Sequence, residues 1–448
     1  MTTKLYSSEE INTVFNSNLN KNLFFNKVAI DSREVSNRGI FFAIKGNNDD
    51  GHRYVKEVLK NKNNLAIVSK GSKNERSIRS QDTLESLKDL ASYARQRSEA
   101  KIVAITGSCG KTSLKNLLNS SLSKVGKTYC SPKSFNNHFG VPYSLANLSS
   151  DNKYGIFELG MSSKGEIDNL VNLVKPHIAI ITNIGPAHLE NFKNIYGICN
   201  AKAEIMNGIY QNGVIILNKD DKFFYSLKKI ADNKNIKILT FGFLKSDIQI
   251  KKGSGKVSFK IKNKIINFKI NNFNKSYLYN VAATLCVHYC LNHNINLLKN
   301  NFNNFKILEG RGNEKNIKIK NKKILLVDDS YNSNPASLNE AIYNFSLRKK
   351  NSQRKIIIMG DMLELGKKSK YYHQQVAKIL NKTNIDKVFC IGSHVRHTYQ
   401  KLNHSKKGLL IKNISFLKEN IFNLLENNDI LLVKSSNRIG LFNFFKKF

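Results

Sequence analysis

Apolar residues along this chain fall into short unbroken runs separated by stretches at helical spacing. Ile102, Val103, Ala104 and Ile105 form one such run, the mark of a strand buried on both faces. Leu114, Leu117, Leu118 and Leu122 follow at the spacing of one helix face. Further runs predict strands at Tyr154–Leu159, His177–Thr182, Val214–Leu217 and Ile238–Phe241, and later at Ile324–Val327, Lys355–Met359, Lys387–Ile391 and Ile430–Val433. Helical patterns alternate with them, which predicts mostly parallel sheets covered on both faces. Before them come two short strands, Val28–Ile30 and Ile40–Ile44, each followed by polar turn residues. Residues 82–98 form an amphipathic helix with Leu84, Leu87, Leu90 and Ala91 on one face, placed to hinge the first unit to the second. Residues 271–287 read as another helix, with Asn280 near its start. The expected fold class is α/β in three domains. These are a small first domain over 1–81, a central phosphate-loop domain over 82–312 and a Rossmann-like domain over 313–448.

Composition narrows the picture. A chain of 448 residues suits about three domains, and 41% hydrophobic residues suffice for globular cores. The formal net charge of +39 would suit an anionic partner. Lysine and asparagine are spread along the whole chain, however, with no basic block carrying interleaved aromatics, so nucleic-acid binding is not expected. The field still favours an anionic substrate. The six cysteines form no CxxC pair and no zinc spacing, which reads as free thiols in a reducing compartment. No run reaches the roughly 18 apolar residues of a membrane span, and the first residues lack an apolar leader core. A cytoplasmic monomer without membrane insertion is expected.

The candidate chemistry centres on TGSCGKT, between the strand at 102–105 and the helix that follows. Gly107 and Gly110 permit a tight turn that a side chain would block. Backbone N–H groups of the loop (Gly107, Ser108, Cys109, Gly110) and of the first helical residues (Lys111, Thr112, Ser113) would then meet a phosphate at the positive end of the helix dipole. Lys111 adds a mobile charge, and Thr112 offers a hydroxyl to a magnesium ion. The spacing is GxxGKT, two residues shorter than the common loop. Glu158 closes one strand, and His188 lies a few residues past the next. Lys202 sits on the helix after that. A hard cation bridging nucleotide phosphates wants a hydroxyl, a carboxylate and few other protein ligands, which Thr112 and Glu158 supply, with His188 as an acceptable nitrogen ligand. Asp31, Ser32 and Arg33 follow a strand end, where open α/β sheets bind ligands. Arg311 stands at a domain junction, where a swinging arginine can meet phosphates on closure.

These motifs, in this order, resemble the Mur ligases, the ATP-dependent amide-forming enzymes of peptidoglycan synthesis. The likeness covers nearly the whole chain: DSREV and GNNDDGH, then TGSCGKT, SFNNHFGVP, ELGMS, TNIGPAHLE and AKAEI, then DDSYNSNP, GDMLELG and VKSS. DSYNSNP and GDMLELG are the most specific, and resemble the member that acts on UDP-MurNAc-tripeptide and D-alanyl-D-alanine. The resemblance implies ATP and Mg2+ as cofactors and an acyl phosphate that the incoming amine attacks. It implies Lys111 on the β/γ-phosphates, Thr112 and Glu158 on one magnesium, and His188 on a second. Lys202 is similar to a family lysine that several members carbamylate. Asn280 and Arg311 would contact the nucleotide, and Asp329 its ribose and phosphate side. Asn332, Asn334 and His373 would lie near the dipeptide or the nucleotide. Lys434 would lie in a contact with the incoming amine or the nucleotide, and Ser32 and Arg33 would meet the UDP end. Two departures stand out. Lys275 and Ser276 occupy the family's usual Gly-x-His, and Lys434-Ser435-Ser436-Asn437 replaces Lys-Gly-Ser-Arg, with Arg438 one place later. Two other readings stay open on sequence: a sister ligase adding a different amino acid, and a nucleotide-dependent binding protein without turnover.

Overall fold

The strand Lys101–Thr106 runs through the middle of the largest sheet, and its side chains explain that position. Ile102 and Ala104 enter one apolar cluster, Val103 and Ile105 another on the opposite face. All four are fully buried. The computed structural model describes residues 4–20, 22–46, 48–71, 74–253, 256–270, 274–303, 305–348 and 353–448. Within them this sheet has nine strands. Seven, from Ile248–Lys252 to Thr128–Cys130, are parallel, and two hairpin strands, Val257–Ile261 and Lys264–Asn267, continue one edge. Lys101–Thr106 lies between Ile178–Ile181 and Tyr154–Glu158. The loops after all three therefore open on the same sheet edge, where crossover topology leaves a crevice.

The third domain repeats the logic. Lys322–Asp328, Ile430–Lys434, Lys355–Gly360, Lys387–Ile391 and Lys407–Ile411 run parallel in that order, with Asn313–Ile319 antiparallel at one edge. The four strands expected from apolar runs are central. The two edge strands escape that reading because they alternate with lysine and asparagine or expose Leu409 and Leu410. The first domain has a four-stranded parallel sheet, Lys27–Ala29, Gly39–Phe42, Leu65–Val68 and Ser77–Arg79, plus the antiparallel pair Tyr6–Ser7 and Phe24–Phe25.

The helix Thr83–Gln96, expected to act as a hinge, is a packed strut. Leu87, Leu90, Ala91 and Ala94 are fully buried, in one apolar cluster with residues of both neighbouring domains. Thr83 Oγ1 donates to the Ala43 carbonyl of the first domain at 3.1 Å, and Arg95 Nε donates to the Val174 carbonyl of the second at 2.8 Å. Tyr6 and Asn147 add bonds across the same boundary. The helix expected over 271–287 spans Lys275–Cys290, and residues 271–273 lie outside the described residues. Asn280 stands in its second turn.

Candidate active site

Gly107 and Gly110 hold positive φ, +147° and +83°. A Cβ on Gly107 would stand 1.9 Å from Thr182 Oγ1, so only glycine fits there. The loop is braced by the end of the neighbouring strand. Asn183 accepts the N–H of Ser108 on its carbonyl (3.0 Å) and the N–H of Cys109 on Oδ1 (3.0 Å). Thr182 Oγ1 donates to the Cys109 carbonyl at 2.6 Å. This corrects the expectation for Ser108 and Cys109: their amides hold the loop's shape rather than stand open to a phosphate. The helix Lys111–Leu122 begins from Gly110 with no side-chain cap, and its first return bond runs from Leu114 N–H to the Gly110 carbonyl. The N–H groups of Lys111, Thr112 and Ser113 thus have no intrahelical acceptor, an arrangement suited to an anion. Lys111 Nζ folds back onto the Gly107 carbonyl at 2.7 Å. Burial lowers the pKa of this lysine, and Glu158 opposes that.

Thr112 Oγ1 donates to Glu158 Oε2 at 2.9 Å, and Asn136 Nδ2 donates to Glu158 Oε1 at 2.8 Å. Asn136 was not singled out in the sequence. It lies in the aperiodic SFNNHF stretch, and its function follows from nearness to Glu158, which no local pattern encodes. Arg311 reaches the same hydroxyl, Nη2 to Thr112 Oγ1 at 3.1 Å, and stacks its guanidinium over Tyr331 at 4.3 Å. Lys202 is 2% exposed, and among the described residues its side chain has no hydrogen bond or ion pair, yet it lines the cleft with Glu158 and His188. Burial, reinforced by Lys111, drives its pKa well below the usual lysine range. His188 Nδ1 meets Glu364 Oε2 of the third domain at 2.6 Å. That bond, more than any other influence, holds the Glu364 carboxyl below its ordinary pKa. Among the described residues, no three His, Cys, Asp or Glu side chains gather as a metal cage. A hydroxyl, a carboxylate and an imidazole around an anion site suit a cation that takes its remaining ligands from phosphate and water.

The third domain closes the cleft. Asn334 caps the helix Pro335–Ser346 and places Nδ2 3.1 Å from Cys109 Sγ. Asn332 lines the cleft from the same loop. Asn280 brings Oδ1 over Gly110, where a Cβ would be 3.5 Å away. At the Ser276 departure the backbone N–H donates to Glu340 Oε1 at 3.0 Å. Lys434 is 2% exposed and pairs with Asp329 (2.8 Å) and the Asn332 carbonyl (2.9 Å). Its charge is therefore paired inside the cleft wall, which it lines. Burial raises the Asp329 pKa, and Lys434 counters it. His373 does not face the cleft at all. It is fully buried, accepts the Met362 N–H on Nε2 at 3.1 Å and meets the Ser369 carbonyl through Nδ1 at 2.8 Å. Both ring nitrogens are satisfied by backbone, so it is a support for the 361–365 loop rather than a substrate contact. Arg438 and Asn437 line the cleft beside Glu364.

A second cavity of about 640 Å³ lies in the first domain, bounded by Ser32, Arg33, Tyr54 and, from the second domain, Phe135 and Phe139. Arg33 forks onto Asp31 at 2.9 and 2.6 Å, which holds the Asp31 carboxyl down at about 2.

Residues 105–288 match the Mur ligase middle domain, and residues 316–437 match the Mur ligase, glutamate ligase domain. The chain is 30% identical to the UDP-N-acetylmuramoyl-tripeptide–D-alanyl-D-alanine ligase of Rickettsia prowazekii, over 98% of each chain. Its fold superposes on MurF from Acinetobacter baumannii with a TM-score of 0.87 at 25% identity, covering 100% of this chain and 99% of that one. MurF ligase from Thermotoga maritima, solved in complex with ADP, gives 0.79 at 25% identity over 94% and 96%. With matching domains over most of its length and a full-length relative, this chain belongs to the Mur ligase family.

Proposed function

We propose that this chain uses ATP to join D-alanyl-D-alanine to the terminal carboxylate of UDP-MurNAc-tripeptide, giving the pentapeptide precursor of peptidoglycan. One observation carries the reading: the uncapped helix start at Lys111, Glu158 and a buried Lys202 side chain unpaired among the described residues share one cleft, which the DSYNSNP and GDMLELG loops close. Boundaries near residues 81 and 312 are our division of the chain. A cytoplasmic monomer is part of the same proposal.

The chemistry follows from the groups present. Carboxylate and amine do not condense in water because hydroxide leaves poorly. Phosphorylating the carboxylate supplies a better leaving group. The protein's share is positioning and charge neutralisation. Lys111 and the free amides of residues 111–113 hold the β/γ-phosphates. Arg311 and the Asp329–Lys434 pair flank the nucleotide side. Thr112 and Glu158 would hold Mg2+, with His188 available to a second ion. When bound there, the ion would supply neutralising charge to the transferred phosphoryl group. Lys202 is suited to carbamylation: burial favours its neutral amine, the form that adds carbon dioxide and releases a proton. The resulting anionic oxygen would complement a cation that an ammonium would repel. The UDP end takes the first-domain cavity, with Ser32 at its polar wall and Phe135 and Phe139 at its apolar one.

Swapping the amine tests the substrate assignment. ADP release with UDP-MurNAc-tripeptide should need D-alanyl-D-alanine. Turnover with a single amino acid on a shorter acceptor instead would move the chain to a sister ligase.

A further inference from the structure

His188 and Glu364, two residues that carry a Cβ, hold left-handed backbone on facing loops of different domains, at φ +56° and +65°. That conformation costs free energy in any residue but glycine, and it persists where surrounding structure imposes it. The two side chains meet, His188 Nδ1 to Glu364 Oε2 at 2.6 Å. The backbones meet as well, Glu190 N–H donating to the Glu364 carbonyl at 3.3 Å. Gly366 packs so closely that a Cβ there would stand 3.0 Å from Glu190 Cα.

The loop presenting Glu364 is rigid. Asp361 accepts the N–H groups of Ser393, His394 and Val395 at 3.0, 2.9 and 2.7 Å. Met362 N–H is held by His373, and Leu363 N–H donates to Ser436 Oγ at 2.9 Å. Three successive residues are tied into the third domain, and the fourth, Glu364, reaches out to the second. An imidazole bonded through Nδ1 has only Nε2 left for the cleft it lines.

We propose that Glu364 is a positioning residue: by accepting from His188 Nδ1–H across the domain boundary, it fixes the imidazole with Nε2 presented to the cleft, so that His188 is correctly set only while the third domain is docked. This rests on reading the cleft as the ligase site. A carboxylate behind a histidine that serves a metal or phosphate site orients the ring, and losing such a partner typically costs about 10–100-fold.

The test uses the full chain and the variants Glu364→Ala and Glu364→Gln, each checked for an unchanged thermal transition. In ligand-free protein at pH 8.5, 15N shifts of the His188 ring, assigned with His188→Gln, report which nitrogen carries the proton. We expect Nδ1 protonated and Nε2 bare in the parent. Glu364→Ala should show a mixed or reversed tautomer, with kcat lowered about 10–100-fold and the KM for ATP within about twofold. Glu364→Gln, whose amide oxygen still accepts from Nδ1–H, should restore the parent tautomer and most of kcat. An alanine variant with the parent's tautomer and kcat would overturn the proposal, as would a folded glutamine variant that behaves like alanine. If the parent shows no ligase turnover, the functional reading fails, while the tautomer comparison still decides the role of Glu364.

Discussion

The guanidinium of Arg311 donates to Thr112 Oγ1 at 3.1 Å, from a residue just before the third domain to the first turn of the helix Lys111–Leu122. The same hydroxyl donates to Glu158. Junction, helix and strand end thus converge on one oxygen. Hydrogen bonds involving a charged group are worth about 1.5–3 kcal/mol. Arg311→Ala should therefore lower kcat/KM for ATP by roughly 10–150-fold. Arg311→Lys should recover little, because lysine lacks the planar fork that both stacks on Tyr331 and donates sideways. Steady-state kinetics with varied ATP would check both.

Lys111→Ala removes the only side-chain cation on the phosphate loop itself. By comparison with losing one preorganised donor, turnover should fall on the order of 10²–10³-fold. Among the described residues its amine bonds only its own loop carbonyl at Gly107, so the thermal transition should move little. Near-parent turnover in this variant would remove the phosphate-loop assignment.

Lys202 is buried, its side chain is unpaired among the described residues, and its pKa is lowered through burial and Lys111. A neutral lysine is the form that adds carbon dioxide. In protein equilibrated with 13C-bicarbonate, a carbamate carbon signal should be present in the parent and absent in Lys202→Ala. Short carboxylates should restore part of the alanine variant's activity. No carbamate signal and no rescue would leave Lys202 as an ordinary buried amine.

Stability should fall below neutral pH, in part through His288. This residue is fully buried, its Nε2 2.9 Å from Ser121 Oγ and its Nδ1 3.0 Å from His293 Nδ1. Burial, with a smaller contribution from His293, pushes its pKa down to about 3. The unfolded chain binds this proton near pH 6.5 and the folded chain does not. The contribution is therefore complete above about pH 6.5 and is lost as pH falls, by at most about 1.4 kcal/mol per unit. Denaturant unfolding at pH 7.5 and 5.0 should show a pH-dependent loss about 1–2 kcal/mol smaller in His288→Asn than in the parent. An equal loss in both would contradict this.

The strand–loop–helix around Gly107 was legible because its apolar run, its glycines and its leucine face are local signals. The same holds for the central strands of both large sheets. Edge strands such as Asn313–Ile319 were not, because one solvated edge relaxes the apolar requirement. Site roles divide along a similar line. Residue type and order pointed to Thr112, Glu158 and Lys202. Sequence could not tell that Asn183 consumes the Ser108 and Cys109 amides, that Asn136 braces Glu158, or that Lys434 pairs with Asp329. Each depends on which distant strand end lies alongside. His373 shows the converse: a histidine in a motif-rich stretch whose ring is satisfied by backbone behind the loop.

The central claim is tested most directly by incubating the purified chain with ATP, Mg2+ and UDP-MurNAc-tripeptide, with and without D-alanyl-D-alanine, and measuring ADP and product mass together. The account predicts ADP release that requires both substrates, with one UDP-MurNAc-pentapeptide formed per ADP. No turnover, or ADP release without amide formation, would contradict it.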